Sequence, residues 1–298
     1  VKKPAFEAPS VFLQGKNRFL CSAAVARYGG ARISMDEDST IDRSSDDILY
    51  IVHSNDRHGH FLPPRAPLSP REGPWLGGID CEGALLDQIW QEAAREDAKV
   101  IEIDCGDLIS RGDVLSEALG FKLPLDWFEK AGFDFITFGN WELCSPSTID
   151  ELAKSLADKG GGSSEGRRRP RAILSNIELA ESLPEPETEP ETETELAESL
   201  PEPETKPETE TRAQALYEEY ATVATKTAKI ALLGACTSIA SKKIPLETTA
   251  RKLREAIERL KTEEEEEDIA AFILMSHLGL GDDLELARKV EELDLIIG

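Results

Sequence analysis

Short apolar, β-branched runs alternate with amphipathic stretches along most of this 298-residue chain, and that alternation limits the fold more than any other feature. The runs fall at 48–52, 100–103, 133–138, 172–174, 230–233, 269–275 and 295–297. Between them, helical periodicity fits 84–95, 114–121, 125–131, 149–157, 248–260 and 284–293. This order predicts an α/β sheet with helices packed outside it. In such sheets chemistry collects in the polar loops at the carboxyl ends of the strands.

Two stretches break the pattern. Residues 1–47 form an N-terminal arm or leader with Pro4 and Pro9 set against regular structure and apolar anchors at Phe6, Val11, Phe12, Phe19 and Leu20. Its basic residues Lys2, Lys3, Lys16, Arg18, Arg27 and Arg32 face one acidic residue before position 33, Glu7. An organelle-targeting remnant, a basic docking arm and a plain flexible leader all fit it. The second break is a tandem repeat: 178–194 recurs as 195–211 with the single mismatch Glu189 against Lys206. This Pro/Glu/Thr segment has too few apolar groups to offset its ordering entropy and reads as a disordered acidic loop. It holds 13 Glu and one Lys, half of the net charge of −24. That charge opposes binding to nucleic acid. No run approaches the roughly 20 apolar residues of a membrane-spanning helix, so no transmembrane segment is expected. The cysteines, at 21, 81, 105, 144 and 236, are odd in number and lack a CxxC pair. They favour an intracellular or organellar setting over a secreted one. The basic run Arg167, Arg168, Arg169 and Arg171 reads as a solvated loop, or as a grip for an anion. Residues 263–268 read as a solvated acidic cap on the preceding helix.

The strand ends carry a consistent set of side chains. Asn55-Asp56-Arg57-His58-Gly59-His60 follows the first run, Cys105-Gly106-Asp107 the second, Gly139-Asn140-Trp141-Glu142 the third and Ser276-His277-Leu278-Gly279 the sixth. Asp56, His58, Asp107, Asn140 and His277 are hard and borderline ligands suited to divalent ions. Two such ions about 3.5 to 4 Å apart can clamp a phosphoryl group and activate water, with a carboxylate between them.

With these residues in place, the chain resembles the 5'-nucleotidase branch of the calcineurin-like metallophosphoesterases. The segment ILYIVHSNDRHGH at 48–60 is similar to that family's opening motif, an apolar strand followed by H-T-N-D-x-H-G. The resemblance continues through Gly77-Gly78, IEIDCGD, FDFITFGNWEL, the LSN at 174–176, KIALLGACT and ILMSHLGLGDDLELA, and so spans 48–298 around the repeat. It implies a four-layer α/β/β/α sandwich. It also implies that Asp56 and His58 are ligands of one metal, Asp107 the bridging carboxylate, and Asn140 and His277 ligands of the second. His53 and His60 match positions not usually counted as ligands.

The departures weigh as much as the matches. The family's third motif reads G-N-H-E-x-D, with the His facing the phosphate and leaving group and the Asp orienting it. Here Trp141 stands for that His and Cys144 for that Asp. An indole donates one hydrogen bond but does not titrate, so it cannot serve as the acid. Trp141 is therefore expected as a packing residue filling a site that no longer binds phosphate. Residues 295–298 resemble the strand before the family's final G-H-x-H motif, where the sequence stops; two metal-ligand positions have no counterpart, and neither has the family's second, nucleoside-binding domain. The expectation is a catalytically silent domain holding no metal or one divalent ion, kept as a structural or interaction subunit that docks on protein partners through 1–47. The alternatives are an active phosphohydrolase with two divalent ions such as Zn, Mn or Fe, acting on nucleotides or other phosphomonoesters, and a module that binds a metal or phosphate without turnover.

Overall fold

The computed structural model describes residues 5–7, 22–28, 47–64, 75, 77–110, 112–157, 168–177, 216–263 and 269–298. The acidic repeat and residues 264–268 lie outside the described residues, as does the arm apart from two strands. Among the described residues no helix is long and apolar enough to cross a membrane.

Two sheets carry the fold. The first runs in the order β1 (Ala5–Glu7), β2 (Ser22–Tyr28), β3 (Asp47–Ser54), β4 (Lys99–Asp104), β5 (Phe135–Ile136), β6 (Arg171–Ala172). From β3 to β6 all neighbours are parallel. The second sheet has the order β12 (Leu295–Ile297), β11 (Ile269–His277), β8 (Lys229–Cys236), β7 (Tyr220–Ala224). There β8, β11 and β12 are parallel and β7 is antiparallel to β8. A small hairpin of β9 (Ser238–Ile239) and β10 (Lys242–Lys243) follows β8.

The strands alternate between two buried faces, which is why the sequence shows unbroken apolar runs instead of an in-out pattern. Leu49 and Ile51 of β3 and Ile101 and Ile103 of β4 meet Ile230, Leu232, Ile273 and Met275 of the second sheet. On the other face of the first sheet, Tyr50, Val52 and Val100 pack under α1 (Gly78–Arg95), α3 (Lys122–Ala131) and α4 (Pro146–Ala157), through Leu86, Leu125, Phe128 and Leu152. The outer face of the second sheet takes α5 (Leu246–Glu263) and α6 (Leu280–Lys289), with Leu233 and Leu274 against Leu253, Ile257 and Leu286. Helix, sheet, sheet, helix is the expected four-layer order. A one-and-a-half-turn helix, α2 (Val114–Leu119), sits beside the loop after β3.

Several details differ from the sequence reading. The run at 133–138 yields only a two-residue strand, although Thr137 still donates its amide to the Asp104 carbonyl at 2.9 Å. The strand β7 was not expected; its apolar residues Ala221 and Val223 are few and small, and only pairing with β8 defines it. Ser22–Tyr28 of the arm runs antiparallel to β3, Ser22 opposite His53 and Tyr28 opposite Asp47, so this part of 1–47 extends the sheet. The basic cluster is not simply solvated: Arg169 bonds Asp126 at 2.7 Å and Arg171 bonds Glu218 at 2.7 Å.

Candidate metal centre

Two turns build the centre, and backbone hydrogen bonds join them. The amides of Asp56, His58 and Gly59 donate to the carbonyls of Gly106, Asp107 and Leu108 at 2.9, 2.8 and 2.9 Å, and the amide of Cys105 donates to Ser54 at 2.7 Å. To run side by side in this way the turns adopt left-handed backbone at Asp56 (φ 54°), His58 (φ 48°) and Asp107 (φ 57°). Each such residue costs on the order of 1 kcal/mol, least for Asp, so local structure alone would not hold them there. The third turn approaches more closely still. A Cβ on Gly106 would stand 2.3 Å from the amide nitrogen of Gly139, and one on Gly139 would stand 2.1 Å from Asp107 Oδ1. Only glycine fits at either position.

Asp56, Asp107 and His277 each offer a ligand atom within 4.8 Å of the others. His277 arrives from the end of β11 in the second sheet; its Nδ1 meets the Cys105 carbonyl at 2.8 Å, leaving Nε2 3.3 Å from Asp107 Oδ2. Burial works against its protonation, but the Asp107 carboxylate, helped by that carbonyl, carries its pKa up to about 9. His58 lies alongside, with Nε2 3.4 Å from Asp56 and 3.7 Å from Asp107, and Nδ1 3.0 Å from the Ser110 hydroxyl. Asn140 stands between Gly139 and Trp141, both of which abut the Asp107 carboxylate. Of the five sequence-expected ligands, Asp56, Asp107 and His277 thus offer ligand atoms to one point, His58 lies beside them, and Asn140 sits in the turn that abuts Asp107. Two carboxylates and an imidazole on one carboxylate's edge are a donor set that fits a borderline divalent ion. His53 is largely buried, which pushes its pKa down to about 4.

Several supporting residues were not singled out from the sequence. Glu142 is fully buried and accepts from the amides of Asp107 (2.8 Å), Leu108 (2.8 Å) and Gly139 (2.7 Å), fastening the third turn to the second. Burial, and then the Asp107 charge, push its pKa up to about 7 against the pull of those amides. Asp104, hidden in the apolar IEID run, accepts from Ser54, Arg57 and the amide of Gly106. Arg57 is the most buried cation of the centre. The signal that could have found these groups was a charged residue inside a segment otherwise too apolar to tolerate one.

The expectation that Trp141 is a packing residue needs correction: it is 42% exposed, and its amide donates to Asp107 Oδ1 at 3.0 Å. Cys144 turns to α4, its sulfur 3.3 Å from the Thr148 hydroxyl.

No family model matches the chain. In sequence it is 25% identical over 283 residues to the trifunctional nucleotide phosphoesterase protein YfkN of Bacillus subtilis (strain 168), an alignment covering 91% of this chain and 17% of that protein. In structure it is similar to a 5'-nucleotidase precursor from Thermus thermophilus, with a TM-score of 0.57 and 20% identity over 83% of this chain and 40% of that one. The NAD nucleotidase NadN of Haemophilus influenzae gives 0.52 and 18% over 83% and 37%. The chain therefore spans about a sixth of the sequence relative and less than half of either solved structure. The fold is that of these solved nucleotidase structures, in keeping with the motifs.

Proposed function

We propose that this domain holds a divalent ion at Asp56, Asp107 and His277, with His58 and Asn140 beside it, and turns over phosphomonoesters poorly or not at all. A divalent ion there would neutralise phosphoryl charge and acidify water. Asp107 would anchor it, as the residue that Asp56, His58 and His277 approach. The observation that carries the silent reading is the split within one turn: Glu142 keeps the ligand scaffold fastened, while Trp141 and Cys144 offer no titrating acid–orienter pair. In the absence of a general acid the rate falls by about 10²- to 10⁴-fold. Such a domain serves as a structural or interaction subunit, with residues 1–47 as the docking element. The reading that favours activity rests on His58, whose Nε2 lies 3.4 Å from Asp56 and 3.7 Å from Asp107, and on Asn140 in the adjoining turn.

The test is Mn²⁺ binding by calorimetry together with hydrolysis of p-nitrophenyl phosphate and of AMP by the full chain. We expect Mn²⁺ to bind and turnover to stay near background; efficient hydrolysis would establish the active alternative. For docking, removal of 1–21 leaves Ser22–Tyr28 available to pair with β3 and is expected to release the chain from its protein partners. Unchanged co-purification would end that part of the proposal.

A further inference from the structure

Resting on the reading that Asp56, Asp107 and His277 hold a divalent ion, we propose that Arg57 is the positioning residue of the centre. Its buried guanidinium locks the two ligand-bearing turns together and thereby sets metal affinity. The sequence already poses the question, since a long cation stands between Asp56 and His58. In the structure it is 2% exposed, while both neighbours open toward the centre. The guanidinium reaches the opposite way, into the layer under α1 and α3. Its Nη1 donates to Glu82 of α1 at 2.9 Å, and Nε donates to Asp104 at the end of β4 at 3.0 Å. Its Nη2 donates to the Ser54 hydroxyl at 2.8 Å. The plane lies against two rings, with Cζ 4.9 Å from the Phe128 centroid and 5.4 Å from that of Phe133. Burial disfavours its charge, and Glu82 with Asp104 more than offsets that.

The partner Asp104 makes this more than a core ion pair. One carboxylate oxygen takes Arg57 and Ser54 from the first turn; the other takes the amide of Gly106, next to Asp107 in the second. Arg57 thus reaches the second ligand-bearing turn through a single side chain. It also fixes which way the first turn faces: with residue 57 drawn inward, Asp56 and His58 are left on the centre's side in their left-handed conformations. Lysine cannot substitute. It is a point donor without the planar fork that reaches Glu82, Asp104 and Ser54 at once while lying flat on aromatic rings. Groups that orient ligands in this way typically change metal affinity about ten- to a hundredfold.

The experiment uses the full chain and its Arg57→Lys, Arg57→Met and Glu82→Gln variants. Two readouts are taken: Mn²⁺ affinity by calorimetry, and hydrogen exchange of the Asp56, His58 and Gly59 amides in metal-free protein. We expect the Arg57 variants to bind Mn²⁺ at least tenfold more weakly and to exchange those amides faster, with helical circular dichroism retained. Glu82→Gln, which leaves the Asp104 link, is expected to shift both in the same direction by less. Wild-type affinity and amide protection in folded variants, with only a lower melting temperature, would overturn the proposal and reduce Arg57 to core packing. Should the Arg57 variants fail to fold, Glu82→Gln decides by the same two readouts. A wild-type chain that binds no Mn²⁺ would instead remove the metal reading, and the exchange rates would still decide whether Arg57 joins the turns.

Discussion

Glu142 and Trp141 are adjacent in sequence and opposite in circumstance. The first is sealed in and holds three amides of the ligand-bearing turns; the second is 42% exposed and meets Asp107 through its backbone amide. The ligand side of the centre is supported from beneath by charges that the core cannot release without penalty. The exposed side of the third turn has no such support. A buried residue on which several turns depend is costly to replace, whereas an exposed side chain that holds nothing in the fold can change at little structural cost.

The strongest way to break this contrast is to place a titrating pair on the exposed side. Trp141→His with Cys144→Asp is expected to raise kcat/KM for p-nitrophenyl phosphate in Mn²⁺ by about 10² or more, the usual share of a positioned acid. No gain would mean that the scaffold beneath has drifted as well. Glu142→Gln attacks the other side. The amide oxygen can still accept from Asp107 and Gly139, but its NH2 then opposes the buried Leu108 N–H, at about 2 kcal/mol, and the melting temperature should fall by roughly 6 °C. A small shift would show that the turns hold without it.

A gentler probe is pH. In metal-free protein His277 has its pKa raised to about 9 by Asp107, against an ordinary 6.5. Its contribution to stability is therefore complete below about pH 6.5 and is lost as pH rises through 9. Thermal melts in a chelator should show a decline across that window which His277→Gln removes; the same decline in the variant would assign it elsewhere. The smallest effect is expected from Cys144→Ser, within about 0.5 kcal/mol in thermal melts and without change in Mn²⁺ affinity. A larger loss would move Cys144 to the supported side.

The architecture was legible because parallel strands buried on both faces, such as β3 and β11, write themselves as long apolar runs. The ligand candidates were legible for a related reason: each sits where such a run ends. Strands that depend on a neighbour were not, and β7 and Ser22–Tyr28 gain their identity from pairing with β8 and β3. Nor were the exposure of Trp141 and the burial of Arg57. Composition alone makes tryptophan the core residue and arginine the surface one, and here long-range contacts from α1, β4 and α3 reverse the two. The supporting role of Glu142 depends on where three amides point, which no spacing in the chain reports.

His277 belongs to the second sheet, while Asp56 and Asp107 belong to the first. During synthesis β3 to β6 leave the ribosome well before β11, so a chain caught midway displays Asp56, His58 and Asp107 without the His277 imidazole that completes the group. Closure over so long a separation is slow and comes late in folding. The ion would then act as a rivet set after the two sheets have met, and its retention would report that they have docked in register.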